Sequence, residues 1–168
     1  MEKQAAKKRI LVIDDDEQVL ISLECLLENE GYETTLAWSG QEGLSLLRLN
    51  AFDLVLLDDY LRDIEHEEIF NAIRGMQSQP LIILTESSLM PETRRRFIDQ
   101  GASAIVRKFA PCEEIAAEIR KCFAENAVET LPARVWTKET RLTQAELMRK
   151  FLEVLTRNEF RNGSQVPR

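Results

Sequence analysis

The chain has 168 residues, of which 44% are hydrophobic; that is enough for one ordinary core with a modest remainder, so one domain with an appendage is expected rather than two full domains. A formal net charge of -7 argues against direct binding to nucleic acid or to an anionic membrane surface, since both require a surplus of positive charge. No stretch is apolar for long enough to span a bilayer, and the charged opening from Met1 to Arg9 has no leader-like apolar run, so a soluble cytoplasmic protein is expected.

In chain order, Ile10 to Ile13 is a continuous β-branched and apolar run, as a strand buried on both faces of a parallel sheet should be, and it stops at Asp14, Asp15 and Asp16. Val19, Leu20, Leu23, Leu26 and Leu27 then recur at helical spacing up to Gly31, placed for a left-handed C-terminal cap. Tyr32 to Trp38 reads as a strand. Ser39 with Glu42 forms a capping box for a short helix through Leu44 and Leu47. Phe52 to Leu57 is a third strand, broken only by Asp53 and ending on Asp58 and Asp59. Ile69, Phe70, Ile73 and Met76 mark the inner face of a third helix, and Leu81 to Leu84 form a strand ending at Thr85.

Pro91 opens a fourth helix that closes on Gly101, Ala104 to Val106 is a short fifth strand followed by Lys108, and Pro111 opens a fifth helix carrying Ile115, Ile119, Cys122 and Phe123. Strict alternation of five strands and five helices implies right-handed crossovers and one parallel sheet with helices on both faces. The domain is expected to span residues 1–124. Residues 125–168 are expected to hold a linker, an amphipathic helix from about Gln144 to Asn158 capped by Thr143 and Glu146, and a polar tail. The apolar stripe Leu147, Phe151 and Val154 must pack against the domain, a second copy in a homodimer, or the remainder of an output domain. Cys25, Cys112 and Cys122 are too widely spaced for a disulfide framework or a paired-ligand zinc site, and Cys25 and Cys122 read as small buried hydrophobes.

In such sheets ligands bind at the carboxyl ends of the strands. The polar residues there are Asp14 and Asp15, Asp58, Thr85 and Lys108. Three carboxylates that converge repel one another unless protons or a cation offset them, and magnesium is the economical cation for an all-oxygen set.

This ordered set resembles the receiver domain of two-component response regulators, over about Arg9 to Phe123. The resemblance implies a doubly wound, flavodoxin-like sheet of strand order 2-1-3-4-5. It makes Asp58 the nucleophile that takes a phosphoryl group from a sensor histidine kinase or phosphotransfer protein, in a signalling domain rather than a turnover enzyme. Asp15 is then a direct magnesium ligand, Asp14 a ligand through water, and Asp58 and the main-chain carbonyl of Tyr60 complete the set. Lys108 is expected on a phosphoryl oxygen, or on Asp58 before transfer. Thr85 is expected to move toward the phosphoryl group and so switch the surface of the fourth helix, fifth strand and fifth helix, read by an unknown effector. Asp16 and Asp59 are expected to be solvated bystanders.

Several positions depart from that family. Arg62 and Asp63 replace its Pro-Gly pair, and Glu86 replaces a small residue beside Thr85, where it either repels incoming phosphate or points into water. Ile105 replaces an aromatic switch residue. Phe109 replaces a proline, so a trans Lys108–Phe109 bond is expected. His66 aligns with a loop glycine and is expected to be an exposed loop histidine. Arg94, Arg95 and Arg96 fan around a helix and are expected mainly on a solvated face. These departures motivate an alternative, a receiver acting as an adaptor or dimeriser without phosphate. A second alternative, a haloacid-dehalogenase-like phosphatase, is motivated by the Asp14-x-Asp16 pattern, although Thr85 and Lys108 stand in the wrong order for it.

Overall fold

The computed structural model describes residues 6–87 and 91–129. The strands are β1 (Arg9–Ile13), β2 (Glu33–Ala37), β3 (Leu54–Asp58), β4 (Leu81–Glu86) and β5 (Ala104–Arg107). The helices that alternate with them are α1 (Glu17–Asn29), α2 (Gly40–Leu49), α3 (His66–Arg74), α4 (Pro91–Asp99) and α5 (Cys112–Glu129). All neighbouring strands pair in parallel, in the order β2-β1-β3-β4-β5. The expected doubly wound, flavodoxin-like sheet is therefore present. The helix expected from Gln144 to Asn158 lies outside the described residues.

Burial explains why β1 and β3 tolerate no alternation. Ile10 to Ile13 and Leu54 to Leu57 are almost completely enclosed, because helices cover both faces of a parallel sheet. Each such side chain stabilises the fold by roughly 1.5–3 kcal/mol relative to exposure. Leu11, Ile13, Val55, Leu57 and Leu84 share one cluster with Phe70 of α3 and Phe97 of α4. Ile13 pairs with Leu57, Leu57 with Leu84, and Asp58 with Thr85. The polar residues that follow those apolar runs are thereby delivered together to one edge.

Local chemistry sets the helix ends. Asp16 caps α1, its Oδ1 accepting from the amides of Gln18 at 2.9 Å and Val19 at 3.4 Å. Gly31 and Gly101 follow α1 and α4 with φ of +87° and +108°, a conformation glycine adopts without a Cβ penalty. Ser39 caps α2 through the Glu42 amide, while the Glu42 carboxylate reaches back to the Trp38 amide, one residue earlier than the expected box. At the opposite end of the sheet from the strand-end acids, Asp53 accepts from Arg9 N at 2.8 Å and Lys8 Nζ at 2.7 Å, which accounts for a charged residue at the start of an apolar strand.

A second device holds α2. Asp63, in the loop after β3, accepts hydrogen bonds from the amides of Gly40 at 3.0 Å and Gln41 at 2.9 Å, the first two residues of the helix. These bonds hold its carboxyl below the usual carboxylate range, led by the Gln41 amide. Asp63→Ala is expected to lower stability by about 1 kcal/mol, the usual worth of a helix cap, measured by urea denaturation at neutral pH. Asp63→Asn, which can still accept one bond, should lose less.

Met1–Ile119 forms one compact unit. Among the described residues no helix is long and apolar enough to cross a membrane. Cys122 is buried as expected, whereas Cys25 is exposed on α1; it sits two residues past Leu23 and two before Leu27, off the inward stripe.

Candidate functional site

The site is built where the strands end. Asp14 and Asp15 follow β1, Asp58 is the last residue of β3, Thr85 lies one residue before the end of β4, and Lys108 follows β5. Lys108 Nζ stands 2.8 Å from Asp58 Oδ2 and 3.0 Å from both carboxylate oxygens of Asp14. Thr85 Oγ1 lies 3.5 Å from the Leu57 carbonyl, a long contact that leaves its hydroxyl weakly engaged. Asp14, Asp58 and Thr85 are each at most 2% exposed.

Two buried carboxylates face one ammonium, so the pocket carries uncompensated negative charge. Burial pushes the Asp58 carboxyl up to about 6, against the Lys108 hydrogen bond and with the help of the Asp14 charge. Asp14 is raised for the same first reason, loss of water, despite the Asp16 amide and Lys108. Burial opposes the Lys108 ammonium too, but its hydrogen bonds to Asp58 and Asp14 outweigh that and hold its pKa above 10.5.

A cation fits this arrangement. Asp14, Asp15 and Asp58 each bring one oxygen within 4.8 Å of the others. Asp58 Oδ1 is buried and receives no hydrogen bond, although Oδ2 of the same carboxylate is paired with Lys108. An orphaned buried carboxylate oxygen beside two more acids suits a hard divalent ion with oxygen ligands.

The family model for the response regulator receiver domain matches residues 10–120. The chain belongs to the response-regulator receiver family. YkoG, an uncharacterized transcriptional regulatory protein of Bacillus subtilis (strain 168), is 34% identical over 125 residues, which are 74% of this chain and 54% of YkoG. Response regulator ArlR of Staphylococcus saprophyticus is 34% identical over 114 residues, 67% of this chain and 50% of ArlR. The chain thus spans about half the length of the curated relatives it matches. A CheY-like receiver domain protein from Methanospirillum hungatei JF-1 superposes with a TM-score of 0.68 at 30% identity, covering 74% of this chain and 99% of that one. CheY4 of Vibrio cholerae superposes with a TM-score of 0.64 at 23% identity, covering 70% and 99%, and speaks to the fold alone. Family and strand order together leave the phosphatase alternative without support.

Several of the receiver's departures from its family make side-chain contacts, while Phe109 is 78% exposed. Arg62, exposed in the loop after β3, places Nε 2.8 Å from Asp15 Oδ2, an ion-pair distance without hydrogen-bond alignment. A cation that binds Asp15 must compete with that guanidinium. Arg62→Ala is expected to tighten magnesium binding up to about fivefold, since an exposed pair is worth roughly 0.2–1 kcal/mol; a magnesium titration followed by calorimetry measures it.

Glu86 neither points into water nor turns to the acidic pocket. It is 2% exposed, with Oε1 3.9 Å from Arg94 Nη1 of α4. Burial raises its pKa, against Arg94 and with Asp59. Alternation along β4 explains the direction: Thr85 and Glu86 are neighbours and so leave opposite faces of the strand. Arg94 also donates to the Ile105 carbonyl at 3.1 Å, and Arg96 lies over the Phe97 ring at 5.0 Å, while all three arginines keep exposed positions.

His66 was expected to be exposed in a loop, and this is corrected. It opens α3, is 8% exposed, and its Nε2 lies 3.0 Å from the main-chain carbonyl of Asp58. The glycine-like alignment concealed a helical period: His66 precedes Ile69, Phe70 and Ile73 by three, four and seven residues, so it shares their inward face. Tyr60 is exposed on the loop two residues after Asp58. Asp59 accepts from the Ser87 amide at 3.3 Å and is not one of the three clustered acids, although its charge adds to the rise of the Asp58 pKa. All described peptide bonds are trans, Lys108–Phe109 included.

Proposed function

We propose that this receiver accepts a phosphoryl group on Asp58 from the phosphohistidine of a sensor histidine kinase or phosphotransfer protein, in a magnesium-dependent reaction, and signals to an effector through α4 and β5. The observation that carries this is the buried Asp58 carboxylate, held at Oδ2 by Lys108 and open at Oδ1. Its pKa of about 6 leaves it ionised at neutral pH yet more basic than an ordinary carboxylate, which favours nucleophilic attack.

In the proposed step an Asp58 oxygen attacks phosphorus, an O–P bond forms, and the P–N bond to the donor imidazole breaks. The electron pair stays on the imidazole nitrogen, which takes a proton. Lys108 holds the carboxylate before transfer and is within reach of the phosphoryl oxygens after it, as a compact charge on a flexible stem. Thr85, opposite Asp58 in the ladder, supplies a hydroxyl donor, and its displacement toward the phosphoryl group would be felt along β4. Asp14, Asp15, Asp58 and the Tyr60 carbonyl are the proposed magnesium ligands. When bound, the ion supplies positive charge that offsets the phosphoryl oxygens.

On this reading the receiver comprises residues 1–124, residues 125–168 are an appendage, and the protein works in the cytoplasm as a switch rather than a turnover enzyme. Incubation with acetyl phosphate and magnesium should add one phosphoryl group per chain, and chelation of the metal should prevent it. Unchanged labelling in excess chelator would contradict the magnesium dependence, and no labelling with either a small donor or a phosphorylated histidine domain would favour the phosphate-independent adaptor.

A further inference from the structure

The peptide that joins Asp58 to Asp59 is gripped from both sides. Its N–H, on Asp59, donates to the Thr85 carbonyl at 2.9 Å. Its carbonyl, on Asp58, lies 3.0 Å from His66 Nε2. A carbonyl only accepts, so the ring presents Nε2–H there, and a neutral ring then has no proton on Nδ1. The other side of the ring is also held: it meets Phe97 of α4 edge-on, with centroids 5.2 Å apart, and Phe97 stacks on Phe70 at 6.4 Å.

We propose that His66 is a positioning residue for phosphoryl acceptance, acting through the main chain of Asp58, whose strand-end carbonyl it anchors to the aromatic pair Phe97 and Phe70. The need for such an anchor follows from the loop. From Asp59 to Glu65 it contains no proline to stiffen it, and besides the buried Leu61 and Ile64 its fixed points are polar side-chain contacts: Asp59 to Ser87, Arg62 to Asp15, Asp63 to α2, and His66 to Asp58. Without the imidazole donor the Asp58 carbonyl loses its hydrogen bond, and of the peptide's own groups only the Asp59 N–H stays bonded, to Thr85. The Asp58 side chain hangs from that peptide, and so does the start of the loop that carries Tyr60. Small displacements of a reacting group lower a rate steeply, up to about a hundredfold for 1 Å. The same ring touches α4, so the anchor also gives that helix a direct mechanical link to the phosphoacceptor's backbone.

The inference rests on Asp58 as phosphoacceptor. It is tested by comparing three variants for the rate of labelling by acetyl phosphate at saturating magnesium. His66→Phe keeps the aromatic edge against Phe97 and removes the donor. His66→Asn carries an amide too short to reach. His66→Gln places an amide N–H close to the position of Nε2–H. The expected result is a fall of about tenfold for Phe and Asn, and a rate within about threefold of wild type for Gln. A wild-type rate in Phe or Asn, or a Gln variant as slow as Phe, would overturn the proposal.

A second measurement needs no variant. Nitrogen-resolved NMR of the wild-type ring should show a proton on Nε2 that exchanges slowly with water, and a proton on Nδ1 instead would overturn the anchor. If wild type took no label at all, the assignment of Asp58 would fail by itself, while the ring measurement would still decide on His66.

Discussion

Asp58→Asn is expected to melt higher than the wild type in metal-free buffer at neutral pH and to accept no phosphoryl group. The two effects have one origin. Asp58 is raised from 3.8 to about 6 because it is buried, with Asp14 adding to the effect and Lys108 opposing it. An ionised carboxyl so displaced costs the folded state on the order of 3 kcal/mol. Asparagine removes that cost, and because the displaced pKa already includes the opposing Lys108 hydrogen bond, a gain on the order of 3 kcal/mol, or roughly 6–12 °C, is expected.

The sign fixes the pH dependence. A carboxyl raised on folding destabilises only when ionised, so the penalty is absent below 3.8, grows as pH rises to about 6, and is constant above. Thermal denaturation of wild type and Asp58→Asn should therefore coincide near pH 3.8 and separate across that window. Equal melting at pH 7.5 would show that Asp58 is not held in the environment described. A separation that shrinks with rising pH would give the shift the opposite direction.

Lys108→Met is expected to do the reverse to stability while also impairing phosphoryl acceptance. Lys108 is 9% exposed at its side chain and is the ammonium within 3.0 Å of both Asp14 and Asp58. Methionine fills the same space without charge, which leaves two buried carboxylates uncompensated. Removing one partner of a buried pair costs roughly 3–5 kcal/mol, and here part is recovered because the acids can take up protons. A loss of about 2 kcal/mol at pH 8, smaller at pH 5.5, is expected in urea denaturation. The wild-type contribution of Lys108 has its own limit: its folded pKa is raised above 10.5, so the stabilisation is complete below 10.5 and is lost as pH climbs through the folded value. Labelling by acetyl phosphate should slow by at least about a hundredfold, the usual worth of one preorganised electrostatic partner. Near-normal labelling would remove Lys108 from the chemistry.

The fold was legible in the sequence because its strongest signals are local. Ile10 to Ile13 and Leu54 to Leu57 could only be strands buried on both faces, and each ended on an acid that announced the strand's carboxyl end. Ser39 and Gly31 marked helix boundaries through backbone chemistry that acts within a few residues. The clustering of the candidate site residues Asp14, Asp15, Asp58 and Lys108 was legible for a different reason: parallel pairing delivers every strand's end to one edge, whatever the loops do.

What stayed hidden depends on partners distant in sequence. Asp63 looked like a missing glycine, yet it caps a helix more than twenty residues earlier. Glu86 was placed at the pocket's mouth or in water, but strand alternation turns it to Arg94. The resemblance to a loop glycine points His66 outward, but its spacing to Ile69, Phe70 and Ile73 carries the signal of an inward face. Cys25 is exposed although it stands in an apolar helix, because a place within such a helix does not fix the face.

Reduction of the freshly labelled protein with borohydride, which converts an aspartyl phosphate to the corresponding alcohol, followed by peptide mass spectrometry, tests the phosphoacceptor most directly. After acetyl phosphate and magnesium, reduction should fall on position 58 alone and should vanish when the metal is chelated. Reduction at Asp14, Asp15 or Asp59 with position 58 intact, or the same yield with and without metal, would contradict a magnesium-assisted transfer onto Asp58.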